Sequence, residues 1–164
     1  MPNPYFSFKQ FTVYHDRCAM KVGTDGVLLG AWTEVSDARD ILDVGTGTGL
    51  ISLMLAQRSE AHIMAVDIDE DAVKQAEENV KNSPWPDRIE VEHHDICHFD
   101  SDIRYDVIVS NPPYFVNSLK CPDGQRNMAR HTVGLNFESL INSCGRLLSS
   151  SGRFSVIIPT DGMD

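Results

Sequence analysis

From Ile41 onward, short apolar segments alternate with amphipathic segments, and this alternation restricts the fold more than any other feature of the sequence. It predicts strands at residues 41–45, 62–67, 89–94, 105–110 and 153–158 and helices at about 50–58, 70–82 and 137–148. Continuous apolar strands such as Val107-Ile108-Val109 are typical of a parallel sheet that is covered on both faces. The sequence therefore predicts an α/β domain whose ligands bind at the carboxyl ends of the strands.

The first 36 residues do not follow this alternation, and we predict that they form a small N-terminal unit before a domain over residues 37–164. Residues 5–14 are rich in aromatic and β-branched types, which favours a strand. His15-Asp16-Arg17 is typical of a turn, and residues 18–22 would supply the second strand of a hairpin. Thr24-Asp25-Gly26 offers capping side chains and predicts the start of a short helix over residues 27–32. For the last helix, Asn136 is the predicted cap and Ser149-Ser150-Ser151-Gly152 the predicted end.

Composition excludes several classes of protein. The chain has 164 residues and a net charge of −10, and seventeen of its 24 acidic residues lie between positions 37 and 110. This weakens a nucleic-acid-binding interpretation but leaves open a local basic surface built from the two flanks. The start, Met1-Pro2-Asn3-Pro4, lacks a secretory pattern and no apolar run is long enough to span a membrane, so a cytoplasmic location is expected. The four cysteines form no C-x-x-C pair, which favours reduced thiols.

The first candidate site is the turn Gly45-Thr46-Gly47-Thr48-Gly49, which follows a buried strand. Glycine permits positive φ and a close approach of the backbone to a ligand. A dinucleotide-binding turn would carry its third glycine where this chain has Leu50, so S-adenosylmethionine, which has no phosphate, fits better.

Acidic residues at the next two strand ends extend this site. Asp67, 22 residues after Gly45, would accept hydrogen bonds from the ribose hydroxyls, and Asp95 would accept one from the adenine amino group. Their neighbours Ile68 and Ile96 complete the candidate set. The alternative to cofactor binding is that these acidic residues only cap the helices that follow the strands.

The second candidate site is Asn111-Pro112-Pro113-Tyr114, directly after the fourth strand. The two prolines fix φ and remove two backbone donors. The Asn111 side-chain oxygen and the Pro112 carbonyl would accept both hydrogens of an NH2 group and direct its lone pair toward a methyl donor, while Tyr114 stacks on a flat base. The alternative is an ordinary proline loop.

Two further segments are less specific. On a strand, His93, Asp95 and Cys97 would point one way and His94, Ile96 and His98 the other, so a compact metal site is not expected. Residues 115–135 are long and polar, and they form either a substrate loop or a solvated connection. The cations that would contact a nucleic acid are Lys9, Arg17, Lys21, Lys120, Arg126 and Arg130.

Motifs along nearly the whole chain resemble the bacterial tRNA(Val) adenine-N6 methyltransferases, which modify adenine 37, next to the anticodon. They are Phe8-Lys9-Gln10-Phe11, the run from His15 to Gly26, Leu28 to Trp32, Asp43 to Gly49, Asn79, Ser83-Pro84-Trp85 and Asn111 to Tyr114. The resemblance implies a Rossmann-like class I methyltransferase fold, cofactor contacts from Asp25, Asp43, Gly45, Gly47, Asp67 and Asp95, and target-amine binding by Asn111, Pro112 and Tyr114.

The chain departs from this family's pattern at one point, and three alternative functions stay open. The family's seven-stranded sheet needs a helix and two strands after the fifth strand, so we expect those C-terminal strands to be missing from this chain. The same chemistry on a release-factor glutamine or on guanine N2 of ribosomal RNA is the nearest alternative. A nucleotide-binding protein without transferase activity is supported by the glycine turn alone.

Overall fold

A five-stranded, all-parallel sheet forms the centre of the molecule in the computed structural model, which describes residues 4–17, 23–112 and 137–157. Its strands are β3 (Asp40–Val44), β4 (His62–Asp67), β5 (Ile89–His93), β6 (Tyr105–Ser110) and β7 (Leu148–Val156), in the spatial order β5-β4-β3-β6-β7. A separate antiparallel hairpin comprises β1 (Tyr5–Ser7) and β2 (Thr12–Tyr14). The predicted parallel sheet and N-terminal hairpin are confirmed.

Helices cover both faces of the sheet. The described helices are α1 (Thr24–Trp32), α2 (Leu50–Arg58), α3 (Glu70–Lys81) and α4 (Phe137–Leu147), and a 3-10 turn spans Ile96–His98. Alternate residues of β3 face opposite ways: Ile41 packs in a core with α1, α2, α3 and the hairpin, whereas Leu42 packs with α4 and the 3-10 turn. This layered arrangement is the predicted α/β architecture.

The hairpin turn lies earlier than predicted. Phe8 donates its backbone hydrogen to the Phe11 carbonyl at 2.8 Å, and the two rings stack with their centroids 4.7 Å apart. Residues 8–11 therefore make the hairpin turn, and the prediction of one strand over residues 5–14 was wrong. Asp16 and Arg17 do lie in a turn, as predicted, but this turn follows the second strand of the hairpin. The predicted second strand, residues 18–22, lies outside the described residues.

The first helix also begins earlier than predicted. Val27 donates its backbone hydrogen to Gly23 at 3.2 Å, so Thr24-Asp25-Gly26 form the first turn of α1 instead of capping it. No side chain caps this helix within the described part of the chain. Asn136, the predicted cap of α4, lies outside the described residues.

The serine-rich segment belongs to β7 and not to a loop. Tyr105 pairs with Leu148 and Val107 pairs with Arg153, so residues 149–152 occupy an irregular stretch of the strand. A Cβ on Gly152 would lie 2.9 Å from the Tyr105 carbonyl oxygen, which explains why glycine occupies this point of close approach.

The strand alternation predicted over residues 93–98 was also wrong. β5 ends at His93, and the Asp95 carboxylate accepts the Cys97 backbone hydrogen at 3.0 Å to begin the 3-10 turn. No cluster of three or more His, Cys, Asp or Glu suited to a metal ion occurs in the described ranges. Within those ranges, no helix is long and apolar enough to cross a membrane.

Candidate functional site

The glycine loop, residues 45–49, joins β3 to α2 at the carboxyl edge of the sheet. Gly45, Gly47 and Gly49 have φ values of 71°, 57° and 86°, a region that other residues adopt at a cost. The backbone hydrogens of Gly45 and Thr46 both bind the Val66 carbonyl, at 2.9 and 3.0 Å. A Cβ on Gly45 would meet nothing within 4 Å, so the loop borders open space.

Asp43 lies beneath this loop with its carboxylate fully buried. Its Oδ2 accepts hydrogen bonds from the Thr46 hydroxyl at 2.8 Å and from the Ser52 hydroxyl at 2.7 Å. Its Oδ1 is buried and has no hydrogen-bond partner among the described residues. Burial raises the pKa of Asp43 to about 6, although the two hydroxyls favour the ionised form. A buried acceptor without a donor is costly, and a cationic or N–H group of a ligand would satisfy it.

Asp67, the last residue of β4, holds the middle of the glycine loop. Its Oδ2 accepts the Gly47 backbone hydrogen at 2.8 Å, and its Oδ1 accepts that of Asp69 at 2.9 Å. Burial raises the pKa of Asp67, and its charge in turn raises the pKa of Asp43. Each Asp67 oxygen keeps a further lone pair, so the carboxylate can accept two more hydrogens.

The end of β5 lies next to the end of β4. His94 donates its backbone hydrogen to the Asp67 carbonyl at 3.0 Å, and the His93 ring lies 2.8 Å from the Ile68 carbonyl oxygen. Asp95 is adjacent and caps the 3-10 turn, while the Ile96 side chain is buried in the core. The structure therefore brings Asp67 and Asp95 to neighbouring strand ends.

Asn111 and Pro112 follow β6 on the other side of the glycine loop. Ser110 is the register partner of Val44, which places Asn111 opposite the start of the loop. A Cβ on Gly26 of α1 would lie 3.5 Å from the Asn111 amide nitrogen and 3.1 Å from Leu50 of α2. The α1 helix, which also carries Asp25, thus meets both candidate sites.

The remaining predicted residues divide into two groups. Lys9 is exposed in the hairpin turn, and the Arg17 guanidinium pairs with the Glu78 carboxylate on α3. Pro113, Tyr114, Lys21, Lys120, Arg126 and Arg130 lie outside the described residues. The contributions of Ser52 and Gly26 were not predicted, since these residue types carry no signal at their positions and the Asn111 side chain near Gly26 is distant in sequence.

Comparison with known proteins identifies the family. Residues 21–161 match the methyltransferase small domain family. The chain is 72% identical over 164 residues to the tRNA1(Val) (adenine(37)-N6)-methyltransferase of Phocaeicola vulgatus, covering 100% of this chain and 70% of that protein. It is 61% identical to the enzyme of the same name from Bacteroides thetaiotaomicron, again covering 100% and 70%. The chain belongs to this methyltransferase family.

Solved structures agree on the fold. A methyltransferase from Geobacter sulfurreducens in complex with S-adenosylhomocysteine superposes with a TM-score of 0.62 at 18% identity, over 82% of this chain and 48% of that one. One from Thiobacillus denitrificans, also with S-adenosylhomocysteine, gives 0.61 at 16% identity, over 82% and 50%. The fold is that of the S-adenosylmethionine-dependent methyltransferases, as predicted.

The described residues of this methyltransferase fit that cofactor. The unpartnered Asp43 Oδ1 and the open space at Gly45 offer an acceptor and room for an uncharged or cationic group. The two nearby carboxylates, Asp43 and Asp67, would repel a pyrophosphate but attract a sulfonium and an ammonium. The chemistry of the site thus agrees with the family.

Proposed function

We propose that this chain transfers a methyl group from S-adenosylmethionine to N6 of adenine 37 in tRNA1(Val). The observation that carries the proposal is the position of Asn111, which follows the register partner of the residue before the glycine loop, in a chain 72% identical to a relative named for this reaction. The cofactor supplies a methyl group activated by a sulfonium, and the protein's residues bind and orient the two partners.

The cofactor's adenosine would lie at the ends of β4 and β5. Asp67 accepts the ribose hydroxyls with the lone pairs that Gly47 and Asp69 leave unused. Asp95 and the backbone of Ile68 and Ile96 hold the adenine. At the end of the cofactor away from the adenosine, Asp43 Oδ1 accepts a hydrogen bond, and Asp25 on α1 is the second acidic residue proposed there. The glycines 45, 47 and 49 let the backbone of the loop approach the cofactor closely.

The target adenine would present its amino group to the Asn111-Pro112-Pro113-Tyr114 motif. The Asn111 side-chain oxygen and the Pro112 carbonyl accept the two N6 hydrogens, which orients the nitrogen lone pair toward the methyl group. Tyr114 stacks on the base after it leaves the anticodon-loop stack. As the nitrogen–carbon bond forms the carbon–sulfur bond breaks, which leaves S-adenosylhomocysteine, and the methylated nitrogen then releases one proton to solvent. The residues act through positioning and electrostatics, without a general base.

The RNA backbone would be held by cations outside the acidic middle of the chain. Lys9 and Lys21 belong to the N-terminal unit, and Lys120, Arg126 and Arg130 follow the catalytic motif. Arg17 contributes only if it leaves Glu78. We also propose a cytoplasmic location, which a tRNA substrate supports.

The proposal is tested by transfer of labelled methyl groups to synthetic tRNA1(Val), with a matched transcript in which adenine 37 is replaced by guanine. We expect label in the first RNA alone, recovered as N6-methyladenosine. Asn111→Ala should reduce transfer about 100-fold or more and leave cofactor affinity near wild type, since it removes an acceptor for the amine. Label in a release factor or in ribosomal RNA instead would overturn the substrate assignment.

A further inference from the structure

Asn79 is a buried amide on α3 that the proposed chemistry does not use. It is 1% exposed, and its polar atoms make three hydrogen bonds. Its Oδ1 accepts the Tyr14 backbone hydrogen at 2.9 Å, while its Nδ2 donates to the carbonyls of Tyr14 at 2.9 Å and Thr48 at 2.8 Å. One side chain therefore joins the hairpin to the glycine loop.

The bond to Thr48 bears on the shape of the loop. Thr48 lies between Gly47 and Gly49, both of which have positive φ. Asp43 holds the loop at the Thr46 hydroxyl and Asp67 holds it at the Gly47 nitrogen. Asn79 supplies a third attachment, at the Thr48 carbonyl, on the side that leads into α2. Losing this attachment would leave a buried carbonyl unpaired and free the loop to change conformation.

Two neighbours of Asn79 on α3 bind Arg17, three residues after the hairpin. Gln75, one turn earlier on α3, accepts the Arg17 backbone hydrogen at 2.8 Å through Oε1. Its Nε2 is buried without a partner among the described residues. Glu78 binds the Arg17 side chain. The structure therefore contains a natural control: Gln75 is also a buried α3 amide bound near the hairpin, but its hydrogen bond among the described residues goes to Arg17 and not to residues 45–49.

We propose that Asn79 is a positioning residue that couples the N-terminal hairpin to the glycine loop, so that a docked hairpin strengthens cofactor binding. This inference rests on the proposed function, in that it takes the loop as the cofactor site. Because binding free energies are reciprocal, a bound cofactor must stabilise the docked hairpin by the same factor.

The first test compares Asn79→Ala with Gln75→Met in the full chain, by calorimetric titration with S-adenosylhomocysteine well below the unfolding temperature. Both variants lose an acceptor for a backbone amide of the N-terminal segment, at Tyr14 in the first and at Arg17 in the second. We expect Asn79→Ala to weaken binding about 5- to 20-fold, the equivalent of one or two lost hydrogen bonds. Gln75→Met should stay within about twofold, and turnover of Asn79→Ala should recover at saturating cofactor. Equal loss of affinity in both variants would reduce Asn79 to a structural residue.

The second test uses the wild-type chain and does not depend on a variant that folds. Hydrogen exchange is followed at the Tyr14 amide, which binds Asn79, and at the Phe8 amide, which binds Phe11 within the hairpin. Saturating S-adenosylhomocysteine should slow exchange at Tyr14 at least about threefold more than at Phe8. Unchanged exchange at Tyr14, or equal slowing at both amides, would overturn the coupling. A wild-type chain that fails to bind S-adenosylhomocysteine would instead overturn the proposed function.

Discussion

The Ser110 hydroxyl donates a 2.8 Å hydrogen bond to the Val44 carbonyl, which ties the last residue of β6 to the last residue of β3. Ser110 is fully buried, so water does not compete for this bond. The residues that follow these two strand ends are Asn111 and Gly45. The bond therefore fixes the start of the proposed amine-binding motif relative to the glycine loop.

Ser110→Ala should lower the free energy of unfolding by about 1–3 kcal/mol, since it leaves a buried carbonyl without its donor. Urea unfolding measures the effect. Ser150→Ala, the same exchange at an exposed position of β7, is the control and should change stability by less than about 0.5 kcal/mol. Equal effects at the two serines would show that the buried bond adds nothing.

Asp43→Asn should stabilise the ligand-free chain more as pH rises. Burial raises the pKa of Asp43 from 3.8 to about 6, so its favourable contribution is complete below about pH 4 and is lost as pH rises through 6. One pKa unit corresponds to about 1.4 kcal/mol, so the variant should gain about 2.5 kcal/mol over wild type between pH 4 and pH 8.

Unfolding of both proteins in urea across that pH range checks this expectation. The pKa of Asp67 is raised in the same direction, but it titrates in both proteins and largely cancels in the difference. A difference that does not vary with pH would contradict a buried, ionisable Asp43. The same variant should bind S-adenosylhomocysteine more weakly, because it removes a negative charge from the site.

Asp67→Ala should weaken S-adenosylhomocysteine binding by about 1.5–3 kcal/mol, the range for hydrogen bonds to a charged acceptor. It removes the proposed ribose acceptor and also the bond that holds the Gly47 nitrogen. Calorimetric titration measures the loss, with the exposed Asp71→Ala as the control on the neighbouring helix. Unchanged affinity, or tighter binding of NAD than of S-adenosylmethionine by the wild type, would contradict the assignment.

Gly145→Ala should stabilise the fold by about 0.5–1 kcal/mol, because glycine is a poor residue in a helix interior. A Cβ at Gly145 in α4 would meet nothing within 4 Å. Gly26→Ala is the matched exchange in α1, where the new Cβ would lie 3.1 Å from Leu50. Thermal unfolding should show a gain for the first variant and none for the second.

Replacing Arg126 and Arg130 together with alanine should weaken tRNA binding and leave cofactor affinity unchanged. Each lost phosphate contact to a single-stranded loop should reduce the slope of log K against log salt by about 0.7. Binding measured over a range of salt concentrations tests this, with Lys81→Ala on α3 as a control. An unchanged slope would make residues 115–135 a plain connection and favour a protein substrate.

Elements with strong local patterns could be predicted closely. α2 has the predicted bounds, and β4 and β6 coincide with their predicted ranges, because their apolar residues form unbroken or periodic runs. The hairpin turn was misplaced since Phe8 and Phe11 favour strands by type, whereas their ring stacking makes a turn. The serine segment was predicted to end the last helix and does follow it, but the last strand begins at Leu148 and not at residue 153, because nothing local shows that Tyr105 and Leu148 pair.

The same limit applies to the site. Asp67 and the three glycines were found because each carries a local signal at a strand end. The bonds of Asn79 reach Tyr14 and Thr48, which are 65 and 31 residues away along the chain, and no pattern around Asn79 predicts them. The residues proposed to bind the cofactor were thus accessible from sequence, whereas the hydrogen bond between Asn79 and the glycine loop was not.

The large sequence separation between Asn79 and Tyr14 also sets the order of events during translation. Ribosomes add about 5–20 residues per second, so Tyr14 emerges roughly 3–13 s before the asparagine that will hold it, 65 positions later. During that interval Phe11 also lacks Trp85, the ring that its own ring meets edge-on in the folded chain. The hairpin is therefore translated well before the residues that it docks against, and the nascent chain carries an unshielded aromatic segment until α3 and Trp85 have been translated.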